Sequence, residues 1–339
     1  MGPAGGTPVK VRTKLLIVLL FIGLAPAFLI AGLAWRSLGS MAEHSESQYE
    51  LIASDTLDKI ERNLFERYGD VQAFGLNTVL RENAHWYVQS EDSPIVQAMN
   101  SYVDTYDIYY LTVLVDLDGK VIAVNTRDDN GGAIDTGFIF GKDFASAKWF
   151  QDARAGRFTD SDALSGTVVE DLYIDDDVKQ VYGDDGLSLG YSAPVRDADG
   201  QVIAIWKNYT KWNLVESIIA ASYDTLKSNN MASAELTLLD KDGRVLIDCD
   251  PSVNGKLFNT DLQNVVMKLN LAEKGVGSAQ DAVAGNNGHG RGLHARKQVW
   301  QTSGWAHSEG ALGYPGLNWS LLGSVGKPPI LFLIAGSVG

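Results

Sequence analysis

The sequence predicts an α+β protein in which two tandem copies of one sheet-centred domain ride on a long helix that begins in a membrane. Three observations predict it. An apolar run, an Asp-x-Asp-Gly turn and a second apolar run occur at Leu111–Asn125 (LTVLVDLDGKVIAVN) and again at Leu236–Asp248 (LTLLDKDGRVLID). Each is an antiparallel hairpin signature, with Asp-Gly supplying the positive φ of a tight turn. A stretch of 21 residues without a charge, Leu15–Trp35, precedes both copies, and between them lies a segment of helical periodicity.

Taken in order, residues 1–14 are expected to be a cytoplasmic N-terminus, because Lys10, Arg12 and Lys14 precede the apolar run and only Arg36 follows it closely. Residues 15–35 are long enough for a transmembrane helix at 1.5 Å per residue. The competing reading is a cleaved signal peptide, with Ala25-Pro26-Ala27 as its processing site. Residues 36–80 follow as a stalk helix in which Leu57, Ile60, Leu64, Tyr68, Val71 and Phe74 recur every three or four positions and so share one face. Such a stripe requires a partner along its length: the sheets, a second copy of the chain, or both.

Residues 81–215 form the first expected domain. Helical sequence continues to about residue 107, the first hairpin follows, and Thr126–Asp185 reads as a long, acidic, loop-rich insertion. Insertions of that length within a compact domain are usually functional. Strands resume at Gly186–Pro194 and Val202–Tyr209 around a third Asp-x-Asp-Gly at Asp197–Gly200. A linking helix at Asn213–Asn229 leads into the second expected domain, residues 216–326. This contains the second hairpin, a helix at Asp261–Lys274, a Gly-rich loop at Gly285–Gly292, and two strands around Trp305 and Trp319 joined through Tyr314-Pro315-Gly316. Residues 327–339, about ten of them apolar, read as the start of a truncated second transmembrane helix.

The net charge of −14 is concentrated in the first domain, where 23 acidic and 11 basic side chains lie between residues 81 and 215. A domain so charged repels phosphate, which argues against nucleic acid as a partner. The lone cysteine, Cys249, excludes an internal disulfide framework and a cysteine-based zinc site. Metalloprotease, nucleophile-elbow and phosphate-loop signatures do not occur. His289 and His294 sit in a Gly-rich segment without a third ligand, and the Asp-x-Asp-Gly runs continue into strands rather than calcium loops, so neither a metal nor a cofactor is expected. The run Asp175-Asp176-Asp177 reads first as a solvated face, with a bound cation as the lesser alternative.

More informative is an aromatic and acidic constellation in the first domain. Trp149, Phe150, Tyr173, Tyr182, Tyr191 and Trp206 lie on or beside the insertion, with Asp143, Asp175 and Asn208 as polar company. Small-ligand sites combine apolar walls with a few placed polar groups. Trp149, Phe150, Tyr173, Asp175, Tyr191 and Asn208 are the candidate ligand-binding residues. Aromatic faces with carboxylates favour a cationic amine.

The order of these parts resembles the double Cache sensor domains of bacterial chemotaxis receptors and of some sensor kinases and cyclases: membrane helix, stalk, hairpin domain with a Trp-Phe loop, Ser-Ala-Pro-Val return strand, linking helix, smaller hairpin domain and Tyr-x-Gly-x-x-Trp strand. The resemblance covers about residues 15–339. It implies two PAS-like (Cache) subdomains with antiparallel sheets, a membrane-distal ligand-binding one at 81–215 and a membrane-proximal one at 216–326. Amino-acid-binding members carry Arg-x-Trp-Tyr, then Tyr-x-Asp, then a late Asp. Here Trp149 and Phe150 match the Trp-Tyr, Tyr173 and Asp175 the Tyr-x-Asp, and Asn208 falls near the late Asp. Ala147 stands where the carboxylate-gripping Arg would be, which turns the expectation away from a free amino acid.

The resemblance implies a non-enzymatic, extracytoplasmic sensor in the bacterial inner membrane. It would be a homodimer along the stalk, binding a small molecule and passing the signal to a cytoplasmic module absent from this chain. A chemotaxis receptor is the first reading, a histidine kinase or diguanylate cyclase input domain the second. A membrane-anchored hydrolase and a structural surface module are the readings from other classes.

Overall fold

The computed structural model describes residues 11–162, 164–251, 255–294 and 297–326. The second membrane segment expected at 327–339 and the first ten residues of the expected cytoplasmic N-terminus lie outside the described residues.

One helix, α1 (Val11–Phe74), runs 64 residues and continues through Pro26. Its first part, Val11–Leu33, is long and apolar enough to cross a membrane, with a mean hydropathy of 2.7. The helix stops at Phe74, short of the expected residue 80. Gly75 and Leu76 turn the chain, and Asn77 caps a short 3-10 turn by accepting from the Val79 N–H at 3.2 Å. The stripe expected on its stalk portion is buried in full, and it begins two turns earlier than the periodicity suggested, with Tyr49 and Ala53.

Beyond α1 the chain forms α2 (Pro94–Tyr106), β1 (Tyr109–Asp116), β2 (Val121–Val124), α3 (Gly137–Phe140), α4 (Lys148–Arg154), β3 (Val168–Ile174), α5 (Asp176–Tyr182), β4 (Leu187–Arg196) and β5 (Val202–Lys211). Helix α6 (Asn213–Ser228) links this set to β6 (Glu235–Leu239), β7 (Val245–Cys249), α7 (Gly277–Val283), β8 (Gly288–His294), β9 (Val299–His307) and β10 (Ser320–Gly326). The first sheet has the order β2-β1-β5-β4-β3 and the second β7-β6-β10-β9-β8, antiparallel throughout. Counting strands from the start of each set, the two orders are the same, so the second domain repeats the topology of the first.

The three Asp-x-Asp-Gly motifs are hairpin turns of one design. The Oδ1 atoms of Asp116, Asp197 and Asp240 each accept two backbone N–H bonds across their turns, from Asp118 and Lys120, Asp199 and Gln201, and Asp242 and Arg244, at 2.7–3.0 Å. Gly119, Gly200 and Gly243 follow at φ of 96°, 82° and 89°.

Four segments differ from expectation. Residues 81–93 hold 3-10 turns rather than continuous helix. The Thr126–Asp185 insertion is largely ordered, containing α3, α4, the edge strand β3 and α5. The Gly-rich segment expected as a loop is mostly the edge strand β8. The helix expected at Asp261–Lys274 is a series of turns. Asp261 starts it as a cap, but the backbones of Met267 and Leu269 bond instead to Val245 of β7, at 2.7 and 2.9 Å, and Met267 takes φ 60°. Pairing with a strand edge there outweighs local helix propensity.

The largest core lies between α1 and the inner faces of both sheets, and each outer face has its own smaller core. At β9 the helix backbone rests on the strand, since a Cβ on Gly304 would stand 2.0 Å from the Glu50 nitrogen. The domains also touch directly. Trp319 Nε1 donates to Asp171 Oδ1 at 3.0 Å and the Asp162 N–H to the Gly313 carbonyl at 2.8 Å, while beside them the Tyr68 ring of α1 lies 5.4 Å from that of Tyr314.

Candidate functional site

Side chains alternate across a strand, so β5 serves two surfaces. Trp206 faces α1 and its Nε1 donates to Asn208 Oδ1 at 2.7 Å, placing Asn208 on that same face. Ile205, Lys207 and Tyr209 point the other way, under the layer formed by α3, α4 and α5. Lys207 is only 2% exposed.

Its ammonium is boxed. It lies 4.5 Å from the Tyr209 ring centroid, 4.8 Å from Trp149 and 5.3 Å from Tyr173, and pairs with Glu170 Oε2 at 2.5 Å. Trp149 comes from α4, where it also packs edge-on against Phe150 at 5.9 Å. Glu170 reaches the box across β4 because its register partner is Gly190, where a Cβ would stand 2.2 Å from Oε2. Ser192, the register partner of Lys207, has a buried Oγ with no hydrogen-bond partner among the described residues.

Burial pushes the Lys207 pKa down, against the opposing pull of Glu170, Asp175 and Asp177. Burial likewise raises the Asp175 carboxyl, whose Oδ1 accepts the Asp177 and Val178 N–H groups at 2.9 Å and so caps α5. The three-aspartate run is therefore a helix start rather than a fully solvated face, and Asp177 pairs with Lys142. Three aromatic faces, a buried ammonium and converging carboxylates can hold a small polar molecule of either charge if the internal pair gives way.

Of the six candidate residues, the structure gathers Trp149, Phe150, Tyr173 and Asp175 on this outer face. Tyr191 and Asn208 lie on the opposite face, in the core against α1. Tyr182 stands apart from the box, donating to the Tyr110 carbonyl at 2.7 Å, and Asp143 accepts from the Ala145 N–H in an exposed turn. Sequence reasoning missed Lys207, Glu170, Tyr209 and Ser192. The available signal was a lysine directly after the apolar run Val202–Trp206, at the same parity as Ile205 and Tyr209.

No family model and no curated protein sequence matches the chain. Solved structures do. The ligand-binding domain of the Pseudomonas aeruginosa amino acid chemoreceptor PctC, in complex with GABA, is 18% identical with a TM-score of 0.52, over 83% of this chain and 100% of that one. A domain of a sensory box/GGDEF family protein from Vibrio parahaemolyticus is 10% identical with a TM-score of 0.56, over 84% and 97%. An extracellular ligand binding receptor from Desulfohalobium retbaense is 16% identical with a TM-score of 0.52, over 82% of this chain but only 40% of that one. Extracellular domains of histidine kinases share the fold as well. The chain thus has the tandem PAS-like architecture of double Cache sensor domains.

Proposed function

We propose that this chain is the extracytoplasmic sensing part of a bacterial inner-membrane receptor, a binding protein rather than an enzyme. The observation that carries this reading is α1, which passes without a break from a segment able to span a membrane to the inner faces of both sheets. A small ligand that prefers one arrangement of the first domain shifts a two-state equilibrium by its differential affinity, and α1 delivers the change to the membrane. A homodimer packed along the stalk and a chemotaxis output are the finer parts of the proposal. Histidine kinase and diguanylate cyclase outputs are the alternatives, since domains of all three kinds share the fold.

For the ligand, the Lys207 box is the proposed site and a cationic amine the proposed class. The box already suits an ammonium, and the tethered one of Lys207 acts as a resident that an incoming amine displaces. A second reading is favoured by Ala147, which lacks the arginine of amino-acid-binding relatives: Lys207 itself anchors a ligand carboxylate in exchange for Glu170. The two predict opposite results for Lys207→Met, measured by calorimetry on the full chain in detergent with panels of primary amines and of monocarboxylates. Amine affinity that rises about tenfold, as for a competitor worth about 1.4 kcal/mol, supports displacement. Carboxylate binding that disappears supports the anchor. Affinities unchanged for every ligand that binds would remove the box as the site.

A further inference from the structure

Strands β8 and β9 form a hairpin at the edge of the second sheet, and two ion pairs fix its course along α1. His289 Nδ1 meets Glu50 at 2.5 Å, and Arg291 pairs with Glu46. Two steps forward along β8, about 7 Å, thus match four steps back along α1, about 6 Å. Strand β8 therefore runs down α1 toward the segment able to span a membrane.

That segment ends at Leu33, and Glu46 stands about 20 Å beyond it at 1.5 Å per residue. Past Arg291, β8 continues to His294, about 10 Å closer to the level of Leu33. The Gln298 N–H then closes the turn on the His294 carbonyl at 2.8 Å. The tip of the hairpin is left about 10 Å from the level of Leu33, and a headgroup layer about 5–8 Å thick brings the bilayer surface within reach of its side chains. Strand β10 ends on the same side, with Gly326 in register with Gln301.

What the tip presents is apolar. Leu293, Val299 and Trp300 are 44%, 40% and 46% exposed, and among the described residues of the second domain Leu312 is the only other large apolar side chain so exposed. Leu293 and Trp300 are register partners on the face toward α1, whereas Val299, the partner of His294, lies on the other face. The apolar groups thus surround the tip instead of packing on one side of it. Single exposed apolar residues are ordinary, but three at one hairpin end mark a contact surface. Tryptophan is enriched at the membrane–water interface, where its ring sits at headgroup level.

We infer that the tip of the β8–β9 hairpin is a lipid-contact surface, seated on the headgroups of the bilayer through Leu293, Val299 and Trp300. The inference rests on the membrane-anchored reading of α1.

The test is electron paramagnetic resonance on the full chain in nanodiscs of mixed phosphatidylcholine and phosphatidylglycerol. Nitroxide labels are placed through Val299→Cys, through Leu24→Cys within the span and through Asp199→Cys in the exposed turn of the first domain. Cys249 does not compete for label, because it is buried and its thiol is pushed up to about 12. Each label reports the ratio of its collisions with oxygen, which favours lipid, to those with a water-soluble nickel chelate. The ratio at 299 is expected to be several-fold above that at 199 and below that at 24, and Trp300→Ser is expected to lower it toward the value at 199. A ratio at 299 equal to that at 199, with 24 in lipid, overturns the contact alone. Water-like ratios at both 24 and 299 overturn the anchored reading and the contact with it. Spin–spin broadening at 299, which would place the tip between two copies of the chain, or a ratio unchanged by Trp300→Ser, likewise overturns the proposal.

Discussion

Glu61 offers a quantitative check on how the domains are joined. It projects from the stalk portion of α1, is 4% exposed, and accepts a hydrogen bond from the Ser308 hydroxyl in the segment between β9 and β10. Burial pushes its pKa up to about 7 from 4.5; the Gly310 and Glu309 backbone amides only partly oppose this, and the Asp58 and Glu309 carboxylates add to it. The folded protein therefore holds a proton that the unfolded chain releases near pH 4.5. A raised carboxyl pKa contributes stability that is complete below the unfolded value and is lost as pH climbs through the folded one. The loss should span about pH 4.5 to 7 and amount to about 3 kcal/mol, at 1.4 kcal/mol per pH unit. Glu61→Gln keeps an acceptor for Ser308 and removes the titration. Urea unfolding of both forms at pH 5 and pH 8 should show the wild type losing about 3 kcal/mol more than the variant. Parallel losses in the two would refute the assignment. The contact matters beyond stability, because the same segment carries Tyr314 against Tyr68 and the Gly313 carbonyl against Asp162 of the first domain.

Two further outcomes follow from packing. Gly304→Ala places a methyl 2.0 Å from the Glu50 nitrogen and 2.4 Å from the Tyr49 carbonyl carbon, and neither backbone atom can move without shifting α1. It should cost at least about 2 kcal/mol in unfolding free energy, whereas Gly323→Ala, whose nearest atom is 3.4 Å away, should cost under about 1 kcal/mol; equal effects would show that the helix does not rest on β9 as described. Lys207→Met strands Glu170, whose side chain is 29% exposed, and should destabilise by about 2 kcal/mol, less than the value for a fully buried pair. Adding Glu170→Gln should recover much of that loss, and simple additivity in the double-mutant cycle would argue against a direct pair.

What could be read from the sequence was local. The Asp-x-Asp-Gly turns declare themselves because one carboxylate and one glycine build each turn from neighbouring residues. The stalk face declares itself because Leu57 to Phe74 keep helical spacing on a helix buried on one side. Strands β3 and β8 did not, because they are edge strands whose acidic or glycine-rich composition lacks the apolar alternation of a half-buried strand. Of the six candidate residues, Trp149, Phe150, Tyr173 and Asp175 lie together on the outer face, while Tyr191 and Asn208 lie on the face against α1. Strands β4 and β5 are buried on both faces, so polar residues such as Lys207 and Asn208 stand side by side and no simple apolar-polar alternation marks which face is which. A shift of one residue, from Asn208 to Lys207, separates the two faces.

The unbroken course of α1 also fixes a rotational phase. Each residue added between Leu33 and Tyr49 would turn the lipid-facing segment by about 100° against both sheets, and seven would return it to within about 20° of its starting angle. Whatever orientation the sheets adopt is thereby imposed as an angle at the bilayer, so this design makes torsion as available a carrier of information as translation.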